Sequence, residues 1–160
     1  MDVRRKKNKS PYLASPHRLS DVIAAIQVMG TYKFYKLSID KWAERISGLR
    51  QDSKYWNKVF TEHPEFFLIE EEVNASLVWR RTNRKLYHVD LGASITKPAY
   101  EELPAGEKNR VSRSPLSPED IGTLINTAIE LHSRASAQER ERRWWAVSYT
   151  HLTLPTTRLV

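Results

Sequence analysis

Four serines in this chain each stand directly before a run of apolar residues at helical spacing, and this pattern constrains the fold more than any other feature. A serine at such a position can accept a hydrogen bond from the free backbone amides of the first turn, so it predicts the start of a helix. The four are Ser15, Ser38, Ser53 and Ser117. The helices that they predict span about residues 16–29, 38–48, 53–63 and 118 onward.

Short strands separate these helices. Thr31–Leu37 is rich in aromatic residues between polar neighbours and predicts one strand, and residues 66–70 and 76–81, joined by 71–75, predict a hairpin. The order helix, short strand, helix, helix, hairpin over residues 16–81 resembles the winged-helix (winged helix-turn-helix) superfamily in topology. The resemblance implies a mainly α fold with a small β-hairpin, an α+β class, whose members commonly bind DNA and in many cases dock proteins instead.

The rest of the chain divides around this unit. The predicted segments are a disordered basic tail at 1–11, a winged-helix-like domain at 12–90, an irregular connector at 91–116 and a long amphipathic helix at 117–145. Ser117-Pro118-Glu119-Asp120 places a cap, a proline and two acids at the positive end of the long helix. Its apolar stripe can pack on the domain or on a second copy of the chain and consists of Ile121, Leu124, Ile125, Ala128, Leu131, His132 and Ala135.

The last residues resemble translated nucleotide sequence more than a protein segment. Val147–Thr156 reads VSYTHLTLPT, which resembles the conceptual translation of a transposon-type sequencing adapter. We therefore expect residues 146–160 to be non-native, and the chain to be a truncated fragment whose natural sequence continues differently after Trp145.

The positive charge of the chain is unevenly distributed. The formal net charge is +7, of which the first ten residues carry +4, from five cations and one carboxylate, and Arg158 carries one more. Only +2 remains for residues 11–146. The predicted folded body is therefore nearly neutral, and a tail rather than the body carries the basicity that favours nucleic acid.

The sequence offers little for catalysis. It has no cysteine, which excludes disulfides, thiolate nucleophiles and cysteine-based zinc sites. His63-Pro64-Glu65 matches half of a zinc-deaminase signature, but the cysteine half is absent. No glycine-rich phosphate loop or serine nucleophile motif is present, so we predict no catalytic residue, no cofactor and no metal site, and a chain that is not an enzyme.

Two functions remain, and both use the third helix and the hairpin. The residues predicted to face a partner are Lys54, Asn57, Lys58, Thr61, Glu70, Glu71, Glu72, Arg80 and Arg81. The leading prediction is a non-enzymatic interaction module, because three carboxylates at the hairpin turn repel a phosphate backbone and suit a basic protein partner. The alternative is a DNA-binding winged helix, in which the lysines, Asn57 and the two arginines contact the duplex together with the basic N-terminal tail.

The end of the long helix predicts a membrane-proximal position. Its basic residues and paired tryptophans, which match the cytoplasmic flank of a membrane span, are Arg140, Arg142, Arg143, Trp144 and Trp145. We therefore expect a cytoplasmic protein, held at the cytoplasmic face of a membrane in the untruncated form. The alternative interpretation is an amphipathic helix with a tryptophan-rich contact.

Overall fold

The computed structural model describes the backbone of residues 9–153 and the side chains of residues 9–148. This part of the chain is mainly helical with two small antiparallel sheets, so the predicted α+β class with a long last helix is confirmed. The helices are α1 (Arg18–Thr31), α2 (Ile39–Ser47), α3 (Ser53–Glu62), α4 (Val78–Thr82), α5 (Lys97–Glu101), α6 (Ala105–Lys108) and α7 (Pro118–Thr153). The strands are β1 (Lys36–Ser38), β2 (Phe67–Glu70), β3 (Asn74–Leu77), β4 (Leu86–His88), β5 (Ala93–Ile95) and β6 (Val111–Arg113). Residues 1–8 of the predicted tail and residues 154–160 of the adapter-like segment lie outside the described residues.

The four serines lie at helix starts in different ways. Ser117 caps α7 as predicted, because its Oγ accepts a hydrogen bond from the Asp120 amide at 3.2 Å. Ser38 precedes α2 without a side-chain cap bond, and Ser53 is itself the first residue of α3. Ser15 lies before a turn, and α1 begins only at Arg18. The predicted helices are therefore present with their starts displaced by up to two residues.

The first sheet joins the short strand to the hairpin. Its strand order is β1-β3-β2 and both pairings are antiparallel, with Leu37 and Ile69 on either side of Ala75. The indole nitrogen of Trp42 on α2 donates to the Ala75 carbonyl at 2.8 Å. This bond fixes α2 against the central strand of the sheet.

Helices α1, α2 and α3 pack against the strands of this sheet. The helical spacing of apolar residues in α2 and α3 predicts that Trp42 and Trp56 lie in the core, and this is confirmed, since they are 0% and 3% exposed. The same spacing also predicts Leu49 and Tyr55 as core positions, and both predictions are wrong. Leu49 is exposed because α2 ends at Ser47 and Gly48 turns the chain with a φ of 81°. Tyr55 lies at the rim, where its hydroxyl donates to Asp21.

The second hairpin strand is shorter than predicted. Its pairing ends with a bond from the Val78 amide to the Phe66 carbonyl at 2.8 Å, and the chain then forms α4. The helical turn directs Arg80 inward, where its guanidinium meets backbone carbonyl oxygens instead of solvent. The prediction that Arg80 faces a partner is therefore wrong.

The segment predicted as an irregular connector contributes two strands, β5 and β6, to a second sheet, and the central strand β4 lies within the segment predicted as the winged-helix-like domain. The strand order of this sheet is β5-β4-β6, all antiparallel, and α5 and α6 lie between β5 and β6. Strands of three residues are too short to show an alternating pattern, which explains why the sequence did not indicate them. The Ser112 hydroxyl accepts a bond from the Tyr35 amide at 3.0 Å and so connects this sheet to the segment before β1.

Helix α7 packs on α1 and on the 3-10 turn at Pro11–Leu13. Leu124, Ala128 and Ala135 are buried there, as the apolar stripe predicted. Gly30 leaves room for α7 against α1, because an added Cβ there would lie 3.3 Å from the Ile121 side chain. The helix continues beyond the predicted end at 145, and Val147 is exposed on it.

Substituting the two core tryptophans tests the packing of α2 and α3. Trp42→Ala and Trp56→Ala should each lower the free energy of unfolding by about 3–5 kcal/mol, because each leaves a large cavity. Trp79→Ala is the control, since Trp79 is 42% exposed and its loss should cost about 1 kcal/mol or less. Urea unfolding curves measure all three. Core variants as stable as the control would show that the helix registers are different.

Candidate interaction surface

The outward face of α3 carries four of the predicted partner-facing residues. Lys54, Asn57, Lys58 and Thr61 are all exposed, and their spacing places them on one side of the helix. The Thr61 hydroxyl donates to the Asn57 side chain at 3.3 Å, and the Lys58 ammonium lies 3.9 Å from Glu62. This ion pair is exposed and its two charged atoms are far apart, so it holds Lys58 only weakly. Both Lys54 and Lys58 therefore remain accessible.

The hairpin turn beside α3 presents two free carboxylates. Glu71 and Glu72 have φ values of 54° and 58°, the left-handed region that non-glycine residues rarely adopt. Positive φ at both central residues is typical of the type I′ turn, which matches the twist of a hairpin. Both side chains are exposed, and neither forms a salt bridge within the part of the chain whose side chains are described.

Glu70 differs from its two neighbours. Its carboxylate lies 3.1 Å from the Lys36 ammonium and 3.1 Å from the Arg81 guanidinium. The hydrogen bond from Lys36 is the main cause that lowers the pKa of Glu70, and the charge of Arg81 adds to it. Glu70 and Arg81 are thus already paired with each other across the hairpin, and Arg80 is buried. The predicted set is therefore not one continuous free surface.

Two shallow grooves lie between α3 and the hairpin. The first, of about 330 Å³, is lined by Ile39, Asp40, Ser53, Lys54, Asn57, Glu72 and Val73. The second, of about 470 Å³, is lined by Asn57, Phe60, Thr61, Pro64, Phe67, Leu68, Ile69 and Glu72. Asn57 and Glu72 line both, so the two grooves adjoin. We call this pair of grooves, with the exposed face of α3, the docking surface.

The apolar members of the docking surface were not predicted as site residues. The phenyl rings of Phe60 and Phe67, 5.0 Å apart between centroids, form the floor of the second groove. Both are almost fully buried, so in sequence they cannot be distinguished from ordinary core residues. The one sequence signal for this apolar groove was the alternation of side chains along the predicted first hairpin strand. It places Phe67 and Ile69 on the same face of that strand.

A buried polar cluster below α1 was also missed. Arg18 is 2% exposed, and its guanidinium lies 2.7 Å from Glu62 and 3.4 Å from the Nε2 atom of His63. A guanidinium only donates, so Nε2 accepts and the proton of His63 resides on Nδ1, which donates to Glu65 at 3.1 Å. The Tyr12 hydroxyl donates to the same Glu65 oxygen at 2.6 Å.

This cluster connects the 3-10 turn at Pro11–Leu13 to the end of α3 through hydrogen bonds. Burial raises the pKa of Tyr12, and the hydrogen bond to Glu65 adds to the effect. For Glu65, burial acts to raise the pKa, but the hydrogen bonds from His63 and Tyr12 outweigh it and the net shift is downward. His63-Pro64-Glu65, which the sequence presented as a chance motif match, therefore has a structural role. All ring nitrogens of His63 are occupied, and its side chain is fully buried.

The predicted membrane-proximal residues are all exposed near the end of α7. Trp144 and Trp145 are 61% and 62% exposed, and their rings meet edge to face at 5.1 Å. Arg142 and Arg143 both lie near Glu139, at 3.6 and 3.5 Å, whereas Arg140 is exposed and lines a groove between α7 and the N-terminal turn. Between residues 9 and 153, no helix combines the length and the apolar character that a membrane crossing requires.

Comparison with known proteins adds no relative. No family model, curated protein or solved structure matches this chain. Among the described side chains, no three histidine, aspartate or glutamate groups are placed to hold a metal ion. The function must therefore be inferred from the docking surface and the exposed end of α7.

Glu65→Gln tests the buried cluster through pH. Because the pKa of Glu65 is lower in the folded protein, its charge stabilises the fold above the unfolded pKa of about 4.3, and this contribution is lost as pH falls through the folded value. The parent should therefore melt at a higher temperature than the variant at neutral pH, and the difference should close in acid. Glu107→Gln, at an exposed site, should follow the parent throughout. A difference that stays constant as the pH falls would contradict this assignment.

Proposed function

We propose that this chain is a non-enzymatic, winged-helix type protein-interaction module that binds its partner on the docking surface. The order of elements from α1 to β3 supports the winged-helix assignment. The strand order β1-β3-β2 supports it as well, because the short first strand pairs with the returning strand of the hairpin. In this assignment, α3 and the hairpin would correspond to the recognition helix and the wing.

One observation carries the interaction proposal. The docking surface combines an apolar groove floor with accessible charges of both signs, lysines on α3 and carboxylates at the turn. Protein interfaces are built in this way, with an apolar centre surrounded by a polar rim. A surface that binds a phosphate backbone is instead uniformly basic.

DNA binding is the second candidate, and α3 supports it. Lys54, Asn57, Lys58 and Thr61 are residue types that contact phosphates and base edges. The neighbouring groups oppose it, however. Glu71 and Glu72 would face the phosphates, while Arg80 and Arg81 are already used within the fold. The N-terminal tail, whose residues 1–8 lie outside the described part, accounts for most of the excess positive charge.

We also propose that the end of α7 lies against the cytosolic face of a membrane. Three arginines and two exposed tryptophans are grouped within six residues there. Tryptophan prefers the level of lipid headgroups, and arginine is attracted to anionic lipids. This position would keep the docking surface on the cytosolic side.

Binding to duplex DNA separates the two functions. The variants are Glu71→Gln/Glu72→Gln, Lys54→Ala/Lys58→Ala, and a tail variant with glutamine at Arg4, Arg5, Lys6, Lys7 and Lys9. Fluorescence anisotropy with a random duplex at several salt concentrations should show that the tail variant loses nearly all binding. The lysine variant should change the salt dependence by less than about one unit, and the turn variant should bind about threefold more tightly.

Glu101→Gln/Glu102→Gln is the matched control for the turn variant, because it removes two exposed carboxylates elsewhere. It should leave duplex binding close to that of the parent. Sequence-selective, nanomolar binding that depends on Lys54 and Lys58 would instead establish the DNA-binding function.

Vesicle binding tests the membrane proposal. The chain should sediment with vesicles containing roughly 30% phosphatidylserine and not with pure phosphatidylcholine, because arginine attraction contributes about 1 kcal/mol per residue. Trp144→Ala/Trp145→Ala should weaken the binding about tenfold, and Trp79→Ala, at another exposed tryptophan, should not. Equal binding by both tryptophan variants would contradict the proposal.

A further inference from the structure

The hairpin leaves one strand edge without a neighbouring strand. Because the order of the sheet is β1-β3-β2, β3 lies in the centre and β2 has a neighbour on one side only. The other side of β2 faces the second groove, the one floored by Phe60 and Phe67. A strand edge beside an apolar groove is the arrangement in which proteins add a peptide strand.

The alternation of hydrogen-bonded and non-hydrogen-bonded residue pairs in the sheet shows which backbone groups of β2 could bind an added strand. The Ile39 amide donates to the Val73 carbonyl at 2.9 Å, so the backbone groups of Val73 and, two residues on, Ala75 face β1. The groups of Ser76 then face β2 and pair with Leu68. Ile69 lies opposite Ala75, and its N–H and C=O therefore point away from the sheet.

The groove beside this edge supplies side-chain contacts. Leu68 and Ile69 are partly buried and line it together with Pro64. Side chains alternate along an added strand, so every second residue of the occupant would lie over the phenyl floor. The amide of Phe67, which points to the same side, already donates to the His63 carbonyl at 3.1 Å, so a paired segment would be centred on Ile69.

The charge of the groove restricts the occupant further. Glu72 lines the groove and Glu71 lies beside it at the turn, and no lysine or arginine lines it among the described residues. An occupant with a lysine or arginine near the turn would neutralise these carboxylates. A second copy of β2, with the sequence FLIE, contains no cation and does not provide this complement.

We propose that the edge of β2 binds an extended segment of a partner protein, with alternating apolar residues and a lysine or arginine beside Glu72, as an added strand. The proposal rests on the proposed function and defines the class of partner for the same surface. A helical partner would satisfy its own backbone groups and leave those of Ile69 unpaired. An extended segment pairs with them and fills the groove at the same time.

Selection from a random displayed peptide library on the full chain tests this proposal. The selected peptides should alternate apolar residues and carry a lysine or arginine at one end. Methylating the backbone nitrogens of a selected synthetic peptide should weaken its binding about tenfold, because the strand hydrogen bonds are lost while the protein is unchanged. Glu72→Lys should weaken binding, and a peptide with glutamate in place of its basic residue should restore it. Glu107→Lys is the matched control and should have no effect.

Each other outcome overturns either the strand proposal or the proposed function. If no peptide is enriched, or if the chain self-associates through β2, the strand proposal fails. Peptides that bind the docking surface and tolerate backbone methylation would contradict strand addition and leave the proposed interaction function intact. Duplex DNA binding that requires Lys54 and Lys58, without peptide binding, would overturn the proposed function itself.

Discussion

The buried guanidinium of Arg80 connects parts of the chain that are far apart in sequence. Its two terminal nitrogens donate to four backbone carbonyls, those of Met29, Lys33, Phe34 and Arg113, at 2.9–3.2 Å. These atoms belong to the end of α1, the segment before β1 and the last strand of the second sheet. Burial lowers the pKa of Arg80 to about 10, and the carbonyl dipoles supply the compensation that an acid usually provides. The hairpin and the second sheet depend on this contact for their placement.

The same arginine marks the limit of what the sequence could predict. Helix positions followed from local spacing and caps, and the exposure of Lys54, Asn57, Lys58 and Thr61 followed from helical periodicity. The direction of Arg80 depends on a short helix after β3 and on carbonyls up to 51 residues away. Neither the short helix nor the distant carbonyl groups produce a recognisable pattern in the sequence around Arg80. The second sheet was missed for a related reason, because its three-residue strands are defined by partners and not by alternation.

Only the part of the candidate site that depends on local sequence patterns was predicted. Periodicity identified the polar face of α3, and the cluster of glutamates identified the turn. The sequence could not show that Lys36 and Arg81 neutralise Glu70, while Glu71 and Glu72 form no ion pair with any described side chain. Nor could it show that Phe60 and Phe67 form the floor of a groove beside an open strand edge. These distinctions show a surface that combines an apolar groove, two accessible lysines and two free carboxylates, and so favour a peptide over a duplex.

Arg80→Lys measures the central contact most directly, because it keeps the charge but cannot reach four carbonyls at once. We expect it to lower the free energy of unfolding by about 2–4 kcal/mol and to increase hydrogen exchange in β4 and β6. Arg81→Lys, at the neighbouring exposed site, should change stability by less than about 0.5 kcal/mol. If Arg80→Lys is as stable as Arg81→Lys, with unchanged exchange in the second sheet, the buried guanidinium does not hold the two sheets together.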